Sequence, residues 1–156
     1  MPKIEYTVTD QRDLDLIGPL WEKLNEHHRA RSPHHSEHFA RMTFDRRKKE
    51  LLEKSGKGAM RIDIAKDANT RVIIGYCIST ISEKKQGEIE SIFIEEDYRR
   101  HGIGDNFMEK TLAWMDSLAV VKKIIAVAAG NEEALIFYSR HNFYPKVTIL
   151  QNNTSP

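Results

Sequence analysis

The sequence predicts an α/β domain built on a mixed, mostly antiparallel central sheet flanked by helices. Three observations carry that reading. Residues 60–94 hold three successive β-rich segments separated by short turn sequences. Residues 88–128 read as a strand, an amphipathic helix and a short apolar strand, which is a β-α-β crossover. The first 55 residues carry apolar side chains at helical, three-to-four spacing. With 156 residues and 40% hydrophobic content, the chain fits one domain over 1–156 that ends in a polar tail at 151–156.

Taken in order, Ile4 to Thr9 alternates and reads as a strand, and Asp10 to Asp13 supplies cap chemistry for a helix. Leu16/Ile17, Leu20/Trp21, Leu24 and His27/His28 then recur along one face, with the histidines at the far end. Residues 30–37 hold a proline and two adjacent histidines and read as a loop before a second, highly charged helix to about Lys54. Met60 to Lys66 and Arg71 to Ile81 form a hairpin around Asp67 to Thr70, and Glu88 to Ile94 is a third strand. Phe107/Met108, Thr111/Leu112, Met115 and Leu118 make a helical stripe over 104–118, and Ile124 to Ala128 is apolar enough for a buried strand. Asn131 caps a short helix through about His141, and Tyr144 to Leu150 is a last strand.

Composition excludes several function classes. The balance of 24 Lys+Arg against 23 Asp+Glu gives a net charge of +1, so nucleic acid is not expected as a partner. The single cysteine, Cys77, cannot form an internal disulfide. With no leader-like N-terminus and no apolar run near the ~20 residues a bilayer requires, the expectation is a cytoplasmic protein without a membrane segment.

The segment between strand 88–94 and helix 104–118 carries the chemistry. Its core is Arg99-x-x-Gly102-x-Gly104. Glycines let backbone approach a bulky anion, and the first N–H groups of a helix have no internal partner, so together they form a phosphate cradle. The same pattern also serves a plain turn. A Rossmann fingerprint would need glycine where Phe107 stands, and Gly-Lys-Ser/Thr occurs nowhere, so both better-known phosphate loops are rejected.

Ile89-Glu90-Ser91-Ile92-Phe93-Ile94 followed by Tyr98-Arg99-x-x-Gly102-Ile103-Gly104 resembles the central strand and pyrophosphate loop of the GNAT family of N-acetyltransferases. Asn131-x-x-Ala134-x-x-Phe137-Tyr138-x-x-x-Asn142-Phe143 resembles the family's second signature, and the order of elements agrees over nearly the whole chain. Glu96 stands where the family often has proline, and Asn142 where it usually has glycine. The second departure is mild, because asparagine tolerates the left-handed conformation that closes a helix.

The resemblance implies a GNAT-like sheet whose splayed strand pair forms an acetyl-CoA cleft, with an acetyl group passed directly to an amine acceptor in a ternary complex. It implies that Ile92, Phe93 and Ile94 line the pantetheine arm, and that Arg99, Arg100, His101, Gly102, Ile103, Gly104 and Asp105 surround the pyrophosphate. Asn131 would assist the pantetheine, and Tyr138 would lie near the CoA sulfur as the acid for the departing thiolate. Glu88 and Glu90 sit two apart on a strand, so both point to one face, and either could accept the amine's proton. Each could equally be a solvated strand carboxylate, and Tyr138 a packed aromatic.

The first helices commonly cover the acceptor pocket in this family, which makes His27, His28 and Trp21 the acceptor-side set, although Trp21 and Trp114 also read as core anchors. His27, His28, His34, His35 and His38 match no standard zinc spacing, so no metal is expected. Arg46-Arg47-Lys48-Lys49 reads as a solvated helix face. Cys77 reads as a small buried hydrophobe. The rival functions are a non-catalytic acyl-CoA-binding regulatory module and an RNA-binding domain; a homodimer is compatible with the chain.

Overall fold

The computed structural model describes residues 1–154, so of the polar tail 151–156 the last two positions lie outside the described residues. Five strands form one sheet in the order β1 (Ile4–Thr9), β2 (Ala59–Asp67), β3 (Ile73–Ile81), β4 (Gln86–Ile94) and β5 (Lys122–Ile125). The first three pairings are antiparallel and the β4–β5 pairing is parallel, as the crossover requires.

Before β2 the chain makes a 3₁₀ segment, Gln11–Ile17, and three helices: α1 (Gly18–Arg31), α2 (Ser36–Arg41) and α3 (Phe44–Ser55). The Asp10 side chain accepts from the Arg12 N–H, the cap the sequence indicates. The single charged helix expected to Lys54 is two helices, because Thr43 breaks it and caps α3 through its hydroxyl (Arg46 N–H to Oγ1, 3.2 Å). After β4 come α4 (Ile103–Ser117) and, beyond β5, α5 (Ala134–Ser139).

The two sheet faces carry separate cores. Against the first helices pack Leu14, Ile17, Leu20, Trp21, Leu51, Ile62, Ile64, Tyr76 and Ile78; against α4 and α5 pack Cys77, Ile81, Ile89, Ile103, Phe107, Met108, Met115 and Tyr138. Alternation alone does not produce this partition. Ile74 has no partner in the β2–β3 register and Glu90 none in the β3–β4 register, so both are β-bulges. Each reverses the parity of the strand beyond it. Ile89 and Ile92, of opposite parity, therefore share the α4 face, while Glu90 and Ser91 both turn toward α3 and β3.

Two expected strands differ. The last segment of the crossover pairs at Lys122–Ile125, two residues before the predicted start, and Ala126–Ala128 leave the sheet. Tyr144–Leu150 forms no strand; Tyr144, Val147, Ile149 and Leu150 are exposed, because no described strand supplies the backbone partners their alternation requires.

Candidate active site

The parallel pairing of β4 with β5 covers only Gln86–Ile89 against Lys122–Ile125. From the Glu90 bulge onward, β3 still pairs with β4 as far as Ile94 while β5 does not. The two strands therefore part, and a cleft opens between them in two lobes. The larger, about 260 Å³, follows Ile92, Phe93 and Ile94 to Arg99 and Gly104 and is walled by Ala134 and Phe137. The smaller, about 50 Å³, lies between Ile89–Ile92 and Ile125–Ala128. Leu24, Ile92, Asn131 and Tyr138 belong to both lobes and mark where they join.

At the far end of the larger lobe, Gly102 opens α4 with a φ of 78°, a left-handed conformation that glycine adopts without strain. The Asn106 N–H closes the first helical turn on the Gly102 carbonyl (3.0 Å), so the N–H groups of Ile103, Gly104 and Asp105 have no acceptor within the helix. Among the described residues no side chain caps them. A Cβ on Gly104 would stand 3.0 Å from the Phe137 ring, so any side chain there presses that ring and crowds the approach to these N–H groups. The cradle suits a diphosphate by shape and by the helix dipole.

Arg99 is held at the rim, its Nε donating to the Ile94 carbonyl (2.8 Å) and its guanidinium lying 5.5 Å from the Phe93 ring centre. Arg100 is exposed and takes a φ of 67°. Arg100 and His101 are absent from the cleft lining. The Asp105 carboxylate accepts from Arg140 (3.0 Å) and His141 (2.8 Å), which hold it below the ordinary carboxylate range.

Tyr138 is 8% exposed, and its ring meets Phe137 at 5.2 Å. No described residue hydrogen-bonds its hydroxyl, and burial, with a smaller contribution from Cys77, raises its pKa above the ordinary tyrosine value. The hydroxyl is thus a protonated donor at neutral pH. Asn142 closes α5 with a φ of 66°, and the Phe143 N–H returns to the Tyr138 carbonyl (3.1 Å), which fixes the tyrosine's backbone. Asn131 does not cap α5 with its side chain; its carbonyl accepts from the Ala134 N–H (3.1 Å) and the residue lines the cleft.

Glu90 and Glu88 share a face, as their spacing indicates, but neither is solvated. The Glu90 side chain is 1% exposed and is held by Arg47 (3.1 Å), Lys54 (2.9 Å) and the Thr80 hydroxyl, which donates at 2.6 Å. Lys54 also reaches Glu88 (2.6 Å). Arg47 and Lys54 belong to the helix that charge pattern alone marks as solvated; nothing local in the sequence reports that α3 lies over the β4 bulge.

The acceptor-side residues divide. Leu24 and His27 of α1 line the larger lobe, and Leu24 and His28 the smaller. Trp21 lines neither: it is 6% exposed in the core, its ring 5.7 Å from Phe44, because its helical position faces the sheet and not the cleft. Gly130, which the motif reading passed over, presses the loop before α5 onto α1, since a Cβ there would meet the Arg31 carbonyl at 2.2 Å. The Arg31–Glu133 ion pair (2.8 Å) ties the same two elements.

The family model described as "Acetyltransferase (GNAT) family" matches residues 21–143. No curated protein sequence matches significantly. Among solved structures, the fold is similar to a GCN5-related N-acetyltransferase from Ralstonia eutropha JMP134, with 15% identity, 96% of this chain and 98% of that one covered, and a TM-score of 0.74. It is also similar to an aminoglycoside acetyltransferase from an uncultured soil metagenomic sample (16% identity, 98% and 96% covered, TM-score 0.65). A third is a ribosomal-protein-alanine N-acetyltransferase from Brucella melitensis biovar Abortus 2308 (14% identity, 96% and 97% covered, TM-score 0.62).

Proposed function

The chain belongs to the GNAT family of acetyltransferases, and from that premise we propose that it binds acetyl-CoA in the β4–β5 cleft and transfers the acetyl group to an amine by direct attack in a ternary complex. One observation carries the reading: two adjoining lobes that share Leu24, Ile92, Asn131 and Tyr138 reach from Gly104 at the start of α4 to the point where β4 loses β5. Acetyl-CoA supplies an activated thioester.

The Ile103, Gly104 and Asp105 N–H groups hold the diphosphate, with Arg99 adding charge at the rim. Ile92 and Ile94 border the pantetheine arm, with Asn131 opposite. Tyr138 donates to the sulfur as the C–S bond breaks. Glu90, whose oxygens are occupied by Arg47, Lys54 and Thr80, is not free to take the amine's proton, and Glu88, which Lys54 meets at one oxygen, stands beside it on the same face; the amine's proton leaves to solvent. His27 and His28 shape the acceptor side.

Thiol release from acetyl-CoA with a panel of primary amines tests this. The acceptors named for two structural neighbours, an aminoglycoside and a ribosomal-protein alanine, bound the panel at its small and macromolecular ends. Amine-dependent release supports the proposal. Tight binding without release for any amine supports the acyl-CoA-binding module instead.

A further inference from the structure

The smaller lobe is lined by five residues with polar side chains: His28, Glu90, Ser91, Asn131 and Tyr138. Glu90 is saturated by its two cations and Thr80, and the Ser91 hydroxyl donates to the Tyr76 hydroxyl (3.1 Å). Tyr138 serves the sulfur in the reading above. That leaves Asn131 and His28, and of the two only His28 contains a fully buried polar atom with no partner, its Nδ1.

That orphan decides the tautomer. A buried N–H without an acceptor is rarer than a buried lone pair without a donor. Nδ1 therefore carries the lone pair and Nε2 carries the hydrogen. No described residue hydrogen-bonds Nε2, which unlike Nδ1 is not sealed, and the ring that carries it lines the smaller lobe.

The ring is held in place by its neighbours. It lies 5.4 Å from Phe39 and 6.0 Å from His27, and the Asn25 side chain ties α1 to α2 by donating to the Phe39 carbonyl (2.8 Å). Four residues along α1, Leu24 marks the same face and the junction of the lobes. Burial, and His27 beside it, push the imidazole down to about 4. It is therefore neutral in use and a poor base.

We propose that His28 is an oxyanion-side catalytic residue, its Nε2–H donating to the thioester carbonyl oxygen and holding the charge that develops there. This rests on acetyl transfer in this cleft. As the amine nitrogen bonds to the carbonyl carbon, the C=O electron pair moves to oxygen and is held by the Nε2–H. When that pair returns, the C–S bond breaks, sulfur takes the Tyr138 proton, and the amine's proton passes to solvent, from which Tyr138 is reprotonated. His28 keeps its own proton throughout. A neutral imidazole used as an electrophile in a dry site is effective because its dipole is already oriented.

The test compares wild type with His28→Phe, which retains the ring packing on Phe39, and with His28→Gln, whose amide N–H can stand in for Nε2–H. Loss of one oxyanion donor typically lowers kcat by about a hundredfold to a thousandfold. His28→Phe should fall by that factor with the best amine of the panel while acetyl-CoA Kd holds, and His28→Gln should recover part of it. The carbonyl stretch of bound ¹³C-acetyl-CoA should lie at lower frequency in wild type than in His28→Phe. Nitrogen NMR of histidine-labelled protein at neutral pH should give a neutral His28 protonated on Nε2.

His27 beside it on α1, His38 of α2 across the Phe39 ring, and Glu90 of β4 and Tyr138 of α5 in the same lobe are titratable groups that face it among the described residues. A limb of the pH–rate profile that His28→Phe alone removes would identify a proton acceptor and overturn the proposal. So would an Nδ1-protonated ring, an unshifted carbonyl band, or a His28→Phe rate within about threefold of wild type, below the effect of one oxyanion donor. Wild type that binds no acetyl-CoA would instead overturn the cleft reading, and this inference with it.

Discussion

Replacing Tyr138 with phenylalanine removes one hydroxyl and nothing else from the junction of the two lobes. No described residue hydrogen-bonds that hydroxyl, and the ring's contacts with Phe137 and the α4-side core stay in place. Deleting a largely buried polar group that lacks a partner does not destabilise, so the unfolding free energy should hold within about 0.5 kcal/mol. Loss of a general acid costs about a hundredfold to ten-thousandfold in rate, or about 2.7 to 5.5 kcal/mol of barrier. The kinetic effect therefore exceeds the folding effect several times over. Steady-state kinetics with the best amine, paired with acetyl-CoA Kd and urea unfolding, separates them. Since burial raises the Tyr138 pKa above its ordinary value, the wild-type to variant ratio should stay flat to about pH 9, below the ordinary tyrosine range. A Tyr138→Phe enzyme with unchanged kcat across that range would refute the acid role while leaving the cleft intact.

Three further outcomes follow from the same geometry. Arg47→Met leaves the Glu90 carboxylate with one cation fewer at a side chain that is 1% exposed, and urea unfolding should report a loss of about 2–3 kcal/mol with the m-value unchanged. Because His28 is held near 4 in the folded protein against an ordinary 6.5, the unfolded chain binds its proton first as pH falls. Its contribution is full above about 6.5 and is lost toward 4. After allowance for partial exposure, wild type should lose about 1–2 kcal/mol more than His28→Phe between pH 7 and pH 4 in chemical unfolding. Gly104→Ala gains about 1 kcal/mol of helix propensity but drives a Cβ toward Phe137, so thermal stability should change little while acetyl-CoA affinity falls; unchanged affinity would move the cradle elsewhere.

Much of this was legible in the sequence because it is local. The alternation at 60–94, the stripe of Phe107, Met108, Thr111 and Met115, and Gly102-x-Gly104 at a helix start each report their own neighbours, and each lies within a residue or two of its expected place. What the sequence did not reveal is set by pairing across the chain. The bulge at Glu90 exists only in the register of β4 against β3, and it decides where the cleft opens. Arg47 and Lys54 look like surface charge until α3 crosses β4. Trp21 is kept from the acceptor pocket by the direction in which α1 faces the sheet. Tyr144–Leu150 has strand alternation but no described strand beside it, since period alone does not supply a partner.

The central claim is that the β4–β5 cleft and the start of α4 form an acetyl-CoA site. Isothermal titration of acetyl-CoA into wild type and into Gly104→Val addresses it most directly, with circular dichroism confirming that the variant folds. Wild type should bind one equivalent with Kd within about 1 μM to 1 mM, the usual range for enzyme substrates. The folded variant, with branched carbons where the Phe137 ring already stands 3.0 Å from a Cβ, should bind at least about tenfold more weakly, a loss of about 1.4 kcal/mol. No heat of binding in wild type, or equal affinity in the folded variant, would contradict the assignment of this cleft.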